Sequence, residues 1–311
     1  MHEPPGRTGD SAVSQPLAVT ALLLNATAWG LAWWPLRLLA EAGLHSLWAT
    51  ALVYLTATAG ITFAFRRSLR SGLRDARGLW WLMIAAGLTN ASFNWAVTLT
   101  EVARVALLFY LMPIWAALLA RWLLKEPLTW SVGARIAVAL TGAAVVFMDP
   151  HRTAGAGSWM ADALAVIAGV TFAANTVLLR RFAGQSSGAV ALAMFGGGAL
   201  LPILVGLTLT LAGYAVPVPA APGPWIGIVL ATALAFVFGN LALQYGAARL
   251  PANTAALIML TEVAVAAVSS ALFAGEALTT RALVGGALIV VAAASSMLTP
   301  AREPPKDQAV A

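Results

Sequence analysis

A chain of 311 residues that is 60% hydrophobic and only 10% charged is not a water-soluble fold, since a soluble domain carries about 25% charged residues. The formal charge of +6 and pI near 10.5 would fit a nucleic-acid partner. The basic residues fall between hydrophobic runs, however, as topology signals do, so a lipid bilayer is the expected partner and no nucleic acid is. With no cysteine, disulfides, thiolate metal sites and Cys nucleophiles are excluded.

Residues 1–16 are polar and Pro/Gly-bearing and read as a disordered cytoplasmic tail. The first hydrophobic run, Leu17 to about Leu39, contains Ala26-Thr27-Ala28, a small-x-small pattern like a signal-peptide cleavage site. Glu3 and Asp10 beside Arg7 deny it a basic leader, and the run continues through Trp34, so we read it as a span. Nine more runs follow at about Leu47–Phe65, Leu79–Thr98, Ala103–Leu124, Leu128–Met148, Trp159–Leu179, Ala189–Leu211, Trp225–Tyr245, Asn253–Phe273 and Thr280–Leu298. Each approaches the roughly 20 residues an α-helix needs to cross a bilayer. Residues 299–311 read as a second disordered cytoplasmic tail.

An internal repeat runs through this series. Asn90, Asn94 and Trp95 are answered 150 positions on by Asn240, Gln244 and Tyr245, and Glu126-Pro127-Leu128-Thr129 by Glu276-Ala277-Leu278-Thr279. Two copies, 17–148 and 159–298, then hold five spans each. An odd number of spans makes the copies cross in opposite senses, the inverted-repeat plan of a transporter. The expected fold is an all-α integral membrane protein with ten transmembrane helices in two inverted five-helix repeats. With the N-terminus inside, thirteen basic residues fall on the inner side and four (Arg37, Arg104, Arg152, Arg281) on the outer, while Arg135 lies within span 5. The positive-inside rule then puts both termini in the cytoplasm of a bacterial inner membrane protein.

Polar residues within spans should face one another or a watered cavity. Several stand at i, i+4 spacing and so share a helix face: Asn25, Trp29 and Trp33 in span 1, Asn90 and Asn94 in span 3, Thr171 and Asn175 in span 6, Asn240 and Gln244 in span 8. Trp95 follows Asn94, and Tyr110 in span 4 joins the set. These residues are candidates to line a central cavity, with helix–helix hydrogen bonding as the alternative. Glu262 lies near the middle of span 9, where a carboxylate could bind an ammonium group, carry a coupling proton, or pair structurally with Arg135. Glu126 and Glu276 each precede a helix and read as structural caps. Pro35, Pro113 and Pro202 are expected to kink spans 1, 4 and 7. Gly184-Gln185-Ser186-Ser187-Gly188 matches a serine hydrolase pattern, but all three histidines, His2, His45 and His151, fall in a tail or a loop, so it has no base. No enzyme activity, cofactor or metal is expected.

Trp29-Gly30, Pro113, Glu126-Pro127-Leu128-Thr129 with Gly133 and Gly142, and Glu276, Leu278 and Gly285-Gly286 resemble the drug/metabolite transporter superfamily, EamA type. The second copy departs from the first, with Val263 where Pro113 would repeat and Thr171-Phe172 in place of Trp-Gly. Within the superfamily the chain looks most like the bacterial aromatic amino acid exporters. The resemblance implies a carrier that moves amino acids outward by alternating access, with spans 1, 3, 4, 6, 8 and 9 around the pathway. An exporter of lipophilic cations is the alternative. Sugar nucleotides would call for more intramembrane basic residues than Arg135. The oligomeric state stays open, and a monomer is compatible with it.

Overall fold

The computed structural model describes residues 8–72, 78–123, 129–147, 158–182, 185, 187–214, 216–219, 222–247, 249, 258–259 and 261–297. Among them the regular structure is helical: α1 (Thr8–Gly30), α2 (Trp33–Glu41), α3 (Ser46–Gly72), α4 (Leu79–Leu99), α5 (Val102–Phe109), α6 (Met112–Leu123), α7 (Trp130–Phe147), α8 (Ser158–Arg181), α9 (Ser187–Leu211), α10 (Trp225–Ala247), α11 (Thr261–Phe273) and α12 (Thr280–Met297). Among the described residues, six stretches are long and apolar enough to cross a membrane: Pro16–Glu41, Ser46–Phe63, Val102–Leu123, Trp159–Leu179, Gly188–Leu211 and Trp225–Leu243. Trp130–Val145, Thr261–Phe273 and Thr280–Ala292 are apolar but shorter. α4 has the length, at 21 residues, but its polar side chains lower its hydropathy. It lies inside the bundle instead, with Thr89, Ser92 and Asn94 buried.

Helix α1 begins at Thr8 and runs through Pro16, so residues 8–16 are helical where a disordered tail was expected. The remainder of that tail, residues 1–7, and the whole second tail lie outside the described residues, as do Glu126, Pro127 and Leu128.

The two copies interleave. α3 and α4 pack on α9, α4 also on α8, α7 on α12, and α1 on α10. Lipid offers no hydrophobic drive for such contacts, so close backbone approach at small residues supplies them. At the α4–α9 crossing a Cβ on Gly87 would stand 2.5 Å from the Gly197 carbonyl, and at the α7–α12 crossing one on Gly142 would stand 2.6 Å from the Gly285 carbonyl.

Among the described residues, two spans show a break. Span 1 divides into α1 and α2 at Leu31-Ala32, and span 4 into α5 and α6 at Tyr110-Leu111. Pro35 and Pro113 stand just beyond these breaks. Proline has no N–H, so the carbonyl four residues earlier loses its helical partner. The Leu31 carbonyl accepts the Trp34 N–H at 3.1 Å instead, and the Phe109 carbonyl lies against Gly169 of α8, where a Cβ would stand 2.8 Å away. The third proline behaves otherwise, since α9 continues unbroken through Pro202.

Both breaks face the middle of the bundle. We call the end at which Thr8 lies proximal. The other end is distal; it gathers the α2–α3 loop, the α4–α5 turn and the α11–α12 loop.

Candidate functional site

A pocket opens between the two broken spans. It is lined by Trp29, Gly30 and Trp33 of span 1, Phe93 of α4, Val102, Ala106 and Tyr110 of span 4, and Glu262, Val263 and Ala266 of α11. Glu262 lies in the first turn of α11, and the Tyr110 hydroxyl and the Glu262 carboxylate interact directly across the pocket. The remaining walls are apolar, apart from the indole N–H groups. Trp29 stacks on Phe236 with ring centroids 4.5 Å apart, which fixes one aromatic wall. Gly30 lets α1 approach α11: a Cβ there would stand 2.9 Å from the Glu262 carbonyl and 2.8 Å from Val265. In this conformation the pocket has room for about one water molecule, so admitting a larger solute requires the surrounding spans to part.

The other sequence candidates sit around this pocket at varying remove. Asn25, fully buried, accepts the Trp29 indole N–H at 3.1 Å and donates to the Met259 sulfur at 3.1 Å, so it orients a pocket wall from behind. The Trp33 indole donates to Ser269 Oγ of α11 at 3.0 Å. Asn90 donates to the Ala86 carbonyl at 2.8 Å and accepts the Tyr54 hydroxyl. Asn94 donates to Thr50 Oγ1 of α3 at 3.1 Å. Thr171 accepts the Thr89 hydroxyl at 2.9 Å, between α8 and α4. Asn175 is buried and its Oδ1 has no hydrogen-bond partner among the described residues. Asn240 is half-buried on α10. Gln244 belongs to the same helix, but its side chain lies outside the described residues, as do Gly184 and Ser186 of the serine pattern.

Trp95 meets the α2–α3 loop instead, edge-on to His45 at 5.1 Å. His45 accepts the Leu47 N–H on Nδ1 at 3.2 Å, and burial pushes its pKa below the ordinary 6.5. Arg135 bonds Ser131 and the Ser295 carbonyl of α12, so it ties α7 to α12.

Among the described residues, ionic clusters join the copies at the distal end. Arg104 of α5 makes a two-pronged pair with Asp162 of α8, at 2.7 and 3.0 Å, with both side chains buried. In another, Arg37 pairs with Glu276 at 2.7 Å, and the Glu276 carboxylate accepts the Val102 N–H at 2.9 Å. Glu276 therefore does not cap the helix that follows it, contrary to the reading from sequence. Thr279 does that, accepting the Ala282 N–H at 3.1 Å. The residue before α5, Glu101, makes no side-chain cap, which leaves the Val102 N–H to a carboxylate from the other copy.

Sequence reasoning passed over Gly30's packing role, Ser269 and the Arg104–Asp162 pair. Asp162, an acid four residues into span 6, was the one signal that could have revealed the pair.

The profile of a family described as the EamA-like transporter family matches residues 16–148 and 159–298. A protein of Streptantibioticus cattleyicolor named a probable terminal-alkyne amino-acid exporter is 32% identical over 282 residues, covering 87% of this chain and 90% of that protein. A crystal structure spanning 91% of this chain and 96% of its own superposes with a TM-score of 0.53 at 21% identity, a likeness that shows the fold alone.

Proposed function

Because the chain belongs to the EamA-like transporter family, a family of membrane carriers built on ten helices in inverted repeats and not of enzymes, we propose that it exports hydrophobic or aromatic amino acids, or related amphipathic metabolites, by alternating access through the pocket between the two broken spans. The observation that carries this reading is Glu262 facing Tyr110 among Trp29, Trp33 and Phe93. A carboxylate beside aromatic rings takes an ammonium group by charge pairing and cation–π attraction, while the rings hold an apolar side chain. The named activity of the Streptantibioticus cattleyicolor relative supports an amino acid as cargo.

In this reading Glu262 and Tyr110 hold the head group, Trp29, Trp33 and Phe93 hold the side chain, and Asn25 fixes Trp29. Asn90, Asn94, Trp95, Thr171, Asn175, Asn240 and Gln244 form the surround that moves with the spans. Both termini are cytoplasmic and the membrane is the bacterial inner membrane, as the excess of basic residues on the proximal side supports. A second reading, export of lipophilic cations, draws on the same carboxylate and rings and on the lack of Lys or Arg among the described residues lining the pocket.

Two tryptophans in the pocket allow a direct test by fluorescence quenching of purified protein. The probes are phenylalanine, methionine, N-acetylphenylalanine and tetraphenylphosphonium. Saturable quenching by the two free amino acids, lost when the amine is acetylated, is the expected result. Equal binding of N-acetylphenylalanine would refute ammonium recognition by Glu262, and binding of tetraphenylphosphonium alone would establish the second reading in its place.

A further inference from the structure

The distal cluster occupies a particular position. Where α4 ends and α5 begins, two helix termini lie side by side: the last carbonyls of α4, partially negative, and the first N–H groups of α5, partially positive. Arg37 serves the first, donating to the Val97 carbonyl at 2.9 Å and the Thr100 carbonyl at 2.7 Å. Glu276 serves the second through the Val102 N–H at 2.9 Å and closes on Arg37 at 2.7 Å. Arg37, α4 and α5 belong to the first copy and Glu276 to the second. The cluster also roofs the pocket. Val102 lines it from beneath, as does Trp33, whose ring lies 5.1 Å under the Arg37 guanidinium.

We propose that Glu276 is a latch: its carboxylate clamps Arg37 and the N-terminus of α5 across the two copies, and it lets go of both whenever the pocket opens to the distal side. This rests on the alternating-access reading above and adds a working role for a residue that reads from sequence as a cap.

Exposure distinguishes the two clusters at their arginines, since the carboxylates are alike at 10% and 8%. The Arg37 and Glu276 side chains are 23% and 10% exposed, so water at the distal end can take over their bonds as they part. Arg104 and Asp162, at 7% and 8%, would be stripped of partners in a dry interior, at far greater cost. The Arg104–Asp162 pair therefore holds α5 to α8 throughout, and the pair whose arginine meets water releases.

The chain has no cysteine, so a single introduced thiol reports alone. Ala106→Cys places one on the pocket wall a turn below Val102. Glu41→Cys, at the exposed distal end of α2, identifies the side from which a membrane-impermeant maleimide reaches that end. Labelling of Ala106→Cys from that side is expected to be slow, and to accelerate at least fivefold when Glu276→Gln is added, with the unfolding midpoint nearly unchanged. Arg37→Gln should accelerate it similarly. The double variant should gain little over the faster single one, because both act on one closure. A folded Glu276→Gln protein labelled at the parent rate overturns the latch. Should that variant fail to fold, an unchanged rate in Arg37→Gln overturns it equally. The readout needs no transported solute, so a failure of the amino acid reading leaves this result standing.

Discussion

Asn175 Oδ1 and Trp115 Nε1 are buried polar atoms without hydrogen-bond partners among the described residues. Their helices, α8 and α6, pack against one another and belong to different copies. A buried polar group left unpaired costs about 1–3 kcal/mol, and such a cost persists in a folded chain when another conformation or a ligand makes use of the group. Asn175→Leu removes an orphaned acceptor at similar volume. We expect its unfolding midpoint in detergent to rise by a few degrees while its transport rate falls severalfold. A stabilised variant with unimpaired flux would make Asn175 a structural accident.

Among the described helices, α5 is the shortest and is held at both ends. Its eight residues are all buried. Glu276 caps one end and Pro113, beyond the break at Tyr110-Leu111, frees the carbonyl of Phe109 at the other. Arg104 anchors it to α8 through Asp162. A buried pair adds little net stability when intact, yet removing one partner strands a charge and costs about 3–5 kcal/mol. Asp162→Ala should therefore depress the unfolding midpoint sharply, and adding Arg104→Leu should restore much of it. If Asp162→Ala alone is nearly neutral, the pair is not closed in the folded protein and α5 has another anchor.

For the whole molecule, the repeat was legible because polar landmarks, Asn90 with Asn240 and Glu126 with Glu276, recur at a fixed interval that composition does not produce, and its inversion because each copy holds an odd number of spans. The broken spans were legible at Pro35 and Pro113, since a missing N–H acts locally. Pro202 shows the limit of that rule, for α9 absorbs it. The pocket was half legible. Glu262, Trp29 and Trp33 were singled out from their chemistry and line it, as does Tyr110. The amide faces were harder. Periodicity tells which residues share a face, but not which neighbour that face meets, and Asn94 meets Thr50 while Thr171 meets Thr89. Cross-copy partners such as Ser269 for Trp33, or Glu276 for Val102, lie more than 170 positions apart, beyond the reach of any local pattern.

These scales converge on Glu262 in its aromatic pocket. The decisive measurement is efflux of labelled phenylalanine and methionine from proteoliposomes holding wild type or Glu262→Gln protein. Losing one partner of a desolvated charge pair costs about 2–5 kcal/mol, so the account predicts rapid efflux in the wild type and a rate at least about tenfold lower in the variant. A wild type that moves neither amino acid, or a folded variant that moves them as fast, would contradict it.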